Sequence, residues 1–133
     1  MGCAAALGLV GCDKPAQSVD TCITPRLAAP TDPRSYAGQR ELAHVCMKTA
    51  AYAIARDGRA VDLVGDAVFR QCAGKETDEI VALKRTGPVY PYQIAQIHEG
   101  LVHLARISAI QARAKGCGLS PGERADSMLE SKP

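Results

Sequence analysis

The sequence predicts an all-α protein, a small disulfide-stapled bundle of three to four helices after an extended N-terminal tether. Apolar residues recur at steps of three and four in several stretches after residue 34, which is the pattern of amphipathic helices. The 133 residues contain no Trp and one Phe, whereas the strands of a β-sandwich favour aromatic and β-branched side chains. Alanine is abundant, which favours closely packed helices with small contact residues.

A short apolar run, residues 3–10, lies near the start of the chain, and a polar segment begins at Asp13. A membrane-spanning helix needs about 20 apolar residues, so the run suits the apolar part of a signal peptide, which takes about 7–15. The residues Leu9-Val10-Gly11-Cys12 resemble the lipobox of bacterial lipoproteins, although no Lys or Arg precedes the run.

The resemblance to bacterial lipoproteins covers about the first dozen residues. In that family the signal is cut just before the lipobox cysteine, whose thiol receives a diacylglycerol. The resemblance therefore implies that residues 1–11 are a signal peptide and that Cys12 is the lipid attachment point. It also implies a protein of the bacterial cell envelope that is lipid-anchored and faces the periplasm, with the inner and the outer membrane both open.

Two other interpretations of the N-terminus stay open. Met1-Gly2-Cys3 resembles the start of eukaryotic proteins that are myristoylated and palmitoylated, but that motif takes Ser or Thr at the sixth position, where this chain has Ala6. Alternatively, the apolar run is a helix on the core and Cys12 is an ordinary buried thiol.

Residues 12–33 are predicted to be the lipidated cysteine and a flexible tether. Four prolines exclude a regular helix there: Pro15, Pro25, Pro30 and Pro33. Cys22 lies within this stretch, so part of the tether is expected to be pinned to the helical domain, residues 34–118.

Four helices are predicted within that domain. The first spans residues 35–56, with Ser35 as its N-cap and Asp57-Gly58 as the turn that follows. The second spans residues 60–73 and stops at Gly74.

The last two helices are delimited by Thr77 and by prolines. The third begins with Thr77 as a cap and runs to residue 85. The fourth spans residues 91–115, with Pro91 in its first turn. It is apolar on more than one side, so it is predicted to lie centrally in the bundle or to contact a partner. Residues 119–133 form a polar tail that is predicted to be disordered.

Four cysteines remain after the predicted anchor, and an even number in an exported domain indicates disulfides. Cys46 precedes Gly58 by twelve residues and Cys72 follows it by fourteen, which places both at nearly the same height of a helical hairpin. Both also lie on apolar stripes, so we predict a Cys46–Cys72 bond, with two buried free thiols as the alternative. Elimination then pairs Cys22 with Cys117.

No residue pattern predicts a catalytic site, a metal site or a cofactor. His98 and His103 lie five residues apart, about 140° around a helix, so one helix cannot direct both to one metal ion. Glu99 and His103 are predicted instead to form a surface pair, and His44 is too isolated in sequence to be assigned. The cysteine spacings resemble neither a zinc ribbon nor a redox motif.

Charge and aromatic residues limit the partners. The net charge of +2 comes from interspersed charges, without the basic stripe of a nucleic-acid-binding protein. Tyr90 and Tyr92 flank Pro91 and form a candidate contact patch for a protein partner in the envelope. No small-molecule ligand is identifiable from the sequence.

Two functions of different classes follow. The first is a lipid-anchored envelope protein that acts as a binding, inhibitory or structural module. The alternative is a small periplasmic enzyme whose site is not legible from the sequence. A cleft in which two or more ionisable groups converge favours the enzyme, whereas an exposed apolar patch of roughly several hundred Å2 favours a protein partner.

Overall fold

The computed structural model describes residues 21–119, which contain helices and no strand. Four α-helices follow one another along the chain: α1 Tyr36–Ile54, α2 Val61–Gln71, α3 Gly74–Lys84 and α4 Pro91–Ala114. A short 3-10 turn, Ala55–Asp57, follows α1 directly. The predicted all-α class is therefore confirmed. None of the helices within residues 21–119 is long and apolar enough to cross a bilayer.

The segment before α1, residues 21–35, forms no helix, as its prolines predict. The start of this segment is attached to the turn that follows α4. The hydroxyl of Thr21 donates a hydrogen bond to the carbonyl oxygen of Lys115 at 2.7 Å, and Cys22 is buried and bonded to Cys117. The segment therefore lies against the helices from residue 21 onward.

Most predicted helix ends are found where the sequence places them. The Ser35 hydroxyl accepts a hydrogen bond from the backbone N–H of Gly38 at 2.9 Å and so caps α1. Gly58 adopts the left-handed conformation (φ 81°) that ends the turn after α1. Pro91 is the first residue of α4.

The predicted stop of α2 at Gly74 and the predicted cap at Thr77 are wrong. The second helix ends at Gln71, and Gly74 is already the first residue of α3. Ala73 has helical torsion angles (φ −60°, ψ −30°), and the carbonyl oxygen of Cys72 accepts a hydrogen bond from the N–H of Lys75. The chain thus passes from α2 to α3 without a left-handed residue, which leaves Thr77 inside α3.

Small side chains fill much of the core. α1 and α4 form its central pair, because each of them packs against all three other helices. The largest fully buried apolar side chains are those of Met47, Val64 and Val68. Much of the remaining core consists of alanines on α1, the following turn and α4: Ala43, Ala50, Ala51, Ala55, Ala105, Ala109 and Ala112. Alanine contacts let helices approach closely but bury little apolar area, so covalent links gain importance.

Both predicted disulfides are present. Cys46 on α1 is bonded to Cys72 at the end of α2, with the Cα atoms 6.0 Å apart. Cys22 is bonded to Cys117 in the turn after α4, with the Cα atoms 4.7 Å apart. Cys22, Cys72 and Cys117 belong to the buried core. The two bonds therefore fix the N-terminal segment to α4 and α1 to α2.

We expect the loss of either disulfide to lower the free energy of unfolding. By chain entropy, the separation of 26 residues between Cys46 and Cys72 corresponds to about 3.5 kcal/mol, and the separation of 95 between Cys22 and Cys117 to about 4.7 kcal/mol. Each is a large share of the ~5–15 kcal/mol typical of folded proteins. Urea denaturation of the double Cys→Ser variants measures the loss, and a variant as stable as the parent would show that its bond does not contribute.

Candidate functional site

An open groove with a volume of about 990 Å3 runs between α1, α3 and α4, and we call it the α1–α3–α4 groove. Residues Gln93 to Ile107 of α4 follow its length, which is about 21 Å at ~1.5 Å per residue. Buried or partly buried apolar side chains form much of its lining: Leu83, Ile97, Leu101, Leu104 and Ile107. The groove is therefore long and mainly apolar.

Ionisable side chains from all three helices also line the groove. α1 contributes Arg40, Glu41 and His44, α3 contributes Glu79, and α4 contributes His103. Arg40 and His44 share one side of α1 because they lie four residues apart. Two histidines that the sequence did not connect, His44 and His103, thus line the same groove.

Glu79 is the buried member of this set. It is only 4% exposed, whereas Arg40, Glu41, His44 and His103 are exposed. Glu79 takes part in none of the ion pairs within residues 21–119. These pairs join Arg59 with Asp57, Lys75 with Asp78, and His98 with Glu76. The Glu79 carboxylate therefore lies in the groove wall without a direct partner of opposite charge.

Burial raises the pKa of the Glu79 carboxyl above its ordinary value. The positive charge of Arg40 opposes this effect, and the negative charge of Glu76 adds to it. Desolvation is the largest of the three causes, which agrees with the low exposure of the Glu79 side chain.

Glu79 is not among the site residues that the sequence predicts, although the sequence contains a signal for it. Ala82 and Leu83 follow it at three and four residues and face inward with it. A carboxylate that shares a helix face with two apolar side chains is a candidate for burial.

The predicted surface pair of Glu99 and His103 is not among the ion pairs of residues 21–119. His98 forms such a pair instead, with its Nδ1 atom 2.8 Å from Oε1 of Glu76. The edge of the His98 ring also contacts Phe69, with the ring centroids 5.3 Å apart. Glu76 meets His98 because α3 packs on α4, and a rule for spacing within one helix cannot predict such a contact. His103 lines the groove instead.

Within residues 21–119 no group of three or more His, Cys, Asp or Glu side chains could hold a metal ion. Cys46 is in a disulfide, so its sulfur is not a free thiol that His44, two residues earlier, could activate as a nucleophile.

The predicted contact patch is exposed and lies beside the groove. The rings of Tyr90 and Tyr92 are stacked with centroids 6.1 Å apart, and the residues are 53% and 62% exposed. The backbone N–H of Tyr90 donates a hydrogen bond to Oε1 of Gln93, which lines the groove. A contact made by this patch stays a prediction. The predicted lipid attachment point, Cys12, lies outside the described residues.

We expect the free energy of unfolding to depend on the ionisation of Glu79. Its raised pKa means that the folded chain binds this proton more tightly than the unfolded chain, so stability falls as the pH rises from 4.5 through the folded pKa. Glu79→Gln cannot ionise, and it should therefore be more stable than the parent at neutral pH and lack this fall.

Thermal denaturation at several pH values measures both profiles. The matched control is Glu99→Gln, which neutralises an exposed carboxylate on α4 outside the groove lining and should keep the parental profile. If the Glu79→Gln and parental profiles coincide, the carboxylate is not desolvated in the folded protein.

Comparisons of the chain with profiles of protein families, with curated proteins and with solved structures gave no match. The role of the groove is therefore inferred from its own residues.

Proposed function

We propose that this protein is a lipid-anchored binding module of the bacterial cell envelope, with Cys12 as its anchor and the α1–α3–α4 groove as its binding surface. The proposal rests on the groove, which is long and apolar and contains the buried carboxylate of Glu79 without a direct partner. A ligand that covers the groove removes the exposed part of its apolar lining, at Leu83, Leu104 and Ile107, from water and can give Glu79 a partner. Both effects favour binding.

The cysteines support a location outside the cytoplasm. Disulfides persist in oxidising compartments such as the bacterial periplasm, and this domain contains two of them. Leu9-Val10-Gly11-Cys12 provides the expected signal for export and lipid attachment. Because Cys22 is bonded to Cys117, the ten Cα–Cα steps from Cys12 to Cys22 limit the distance between anchor and domain to at most about 36 Å.

A small periplasmic enzyme is the second candidate function, and the ionisable lining of the groove favours it. Three helices direct five such side chains to one groove, which meets the criterion of converging groups. Acid–base or nucleophilic catalysis also needs a pair of groups within hydrogen-bonding reach. The hydrogen bonds within residues 21–119 join none of the five to one another. The imidazole–carboxylate bond among these residues joins His98 to Glu76, and neither lines the groove. Binding therefore fits the groove better.

Lipidation at Cys12 predicts a defined mass for the mature protein. Intact-mass analysis of protein extracted from bacterial membranes should find the loss of residues 1–11 and an added lipid. Cys12→Ser should leave the precursor unprocessed or release the protein, whereas Cys3→Ser should be processed and anchored like the parent. A mature protein that still carries Leu9 would contradict the proposed anchor.

Binding through the groove predicts position-dependent cross-linking in intact bacteria. A photoreactive amino acid at His103, which is exposed and lines the groove, should form an adduct with a bound ligand. The same amino acid at Glu99, exposed on α4 outside the lining, should not. Adducts at neither position, or equally at both, would contradict the groove as the binding surface.

A further inference from the structure

The shape of the α1–α3–α4 groove suits an elongated ligand. Its length of about 21 Å along α4 equals about four turns of a helix. Gly100 lies within this length, and a Cβ atom built there would meet nothing within 4 Å. A ligand backbone can therefore approach α4 closely near Gly100, while its side chains lie to either side.

The apolar residues along the groove are spaced like one face of a helix. Ile97, Leu101 and Leu104 follow one another at four and three residues on α4. An amphipathic helix that lies in an apolar groove presents side chains with the same spacing. The three residues form a ridge along α4 against which the side chains of a second helix can pack, so the groove matches a helical polypeptide segment better than a compact ligand.

The charge of the lining selects for a cation. Apart from its two histidines, the ionisable lining consists of two acidic side chains, Glu41 and Glu79, and one basic side chain, Arg40. The Arg40 guanidinium lies over the ring of Tyr36, 5.8 Å from its centroid, and the ion pairs of the described residues do not join it to Glu79. The excess charge is therefore negative, and its buried part is Glu79.

A ligand without a positive charge increases the desolvation cost of the Glu79 carboxylate. An apolar surface over the groove removes the remaining water from the carboxylate and offers no hydrogen bond in return. An anionic group adds repulsion. An ammonium or guanidinium group instead donates charge-assisted hydrogen bonds, which are about twice as strong as neutral ones.

We propose that the groove binds an amphipathic helical segment of a partner polypeptide whose single central Lys or Arg side chain pairs with Glu79. The inference rests on the proposed binding function and extends it by naming the chemistry of the partner. The apolar face of the segment lies over Ile97 and Leu101 at the bottom of the groove and against the partly exposed Leu104 and Ile107. Its basic side chain reaches the wall formed by α3.

Three synthetic helical peptides of about 14 residues, a length that matches the groove, test this inference. They share one apolar stripe and differ only at the central position, which carries Lys, norleucine or Glu. Norleucine keeps the aliphatic stem of lysine and removes its charge. Calorimetric titration into the full chain, with Cys12→Ser to keep it free of lipid, should give about tenfold tighter binding for Lys than for norleucine, and the weakest binding for Glu.

Glu79→Gln should abolish the preference for Lys over norleucine, and Glu99→Gln should keep it. Thermal denaturation of both variants verifies that they are folded. Equal binding of the Lys and norleucine peptides to the parent would overturn the role of the cation and leave binding in the groove intact. A preference for Lys that survives in Glu79→Gln would assign the cation to another residue and would also overturn the inference.

Two further measurements distinguish a helical partner from other ligands of the groove. If n-octylammonium binds in a manner that depends on Glu79 while the peptides do not bind, a free amine and not a polypeptide is the ligand. If the chain self-associates and Glu79→Gln abolishes this, the occupant is a second copy. Either result, or a lack of binding by every probe, overturns the inference, whereas the cross-linking experiment judges the proposed function separately.

Discussion

The close packing of α1 against α4 is the interaction on which the rest of the structure depends. Each of the two helices contacts all other helices, and alanines supply much of their buried surface. Small contact residues allow the close approach but limit the apolar area that the core buries. The Cys46–Cys72 and Cys22–Cys117 bonds offset this limit, since they constrain the unfolded chain over separations of 26 and 95 residues.

The same arrangement creates the groove. α2 and α3 both pack against the central pair, and α3 leaves an open space between itself, α1 and α4. Glu79 faces this space from a helix position that would otherwise hold an apolar residue. A buried carboxylate without a direct partner lowers stability, which is why the proposed function gives Glu79 a role in binding. A cationic group that pairs with Glu79 would offset this loss of stability in the complex.

Much of the fold could be predicted from local rules. Helical periodicity indicated the four helices, Ser35 and Pro91 marked two of their starts, and both disulfides followed from the position of the turn at Gly58 and from elimination. The errors at Gly74 and Thr77 have one cause. A glycine between two helices can end the first or begin the second, and the sequence alone does not distinguish these cases.

The candidate site could be predicted only in part, because it depends on how the helices pack. The approach of α3 to α4 pairs Glu76 with His98, and the space between three helices brings His44 and His103 to one groove. No spacing within a single helix contains this information. The burial of Glu79 could have been predicted from Ala82 and Leu83, which share its face.

The most direct test of a buried carboxylate without a partner is a pH titration of Glu79 by nuclear magnetic resonance. The chemical shift of its side-chain carboxyl carbon reports the ionisation of this one group in the folded protein. Burial predicts a midpoint above the ordinary value of 4.5. A midpoint at or below 4.5 would mean that water or a positive charge already balances Glu79, and the groove would then have no need of a cationic ligand.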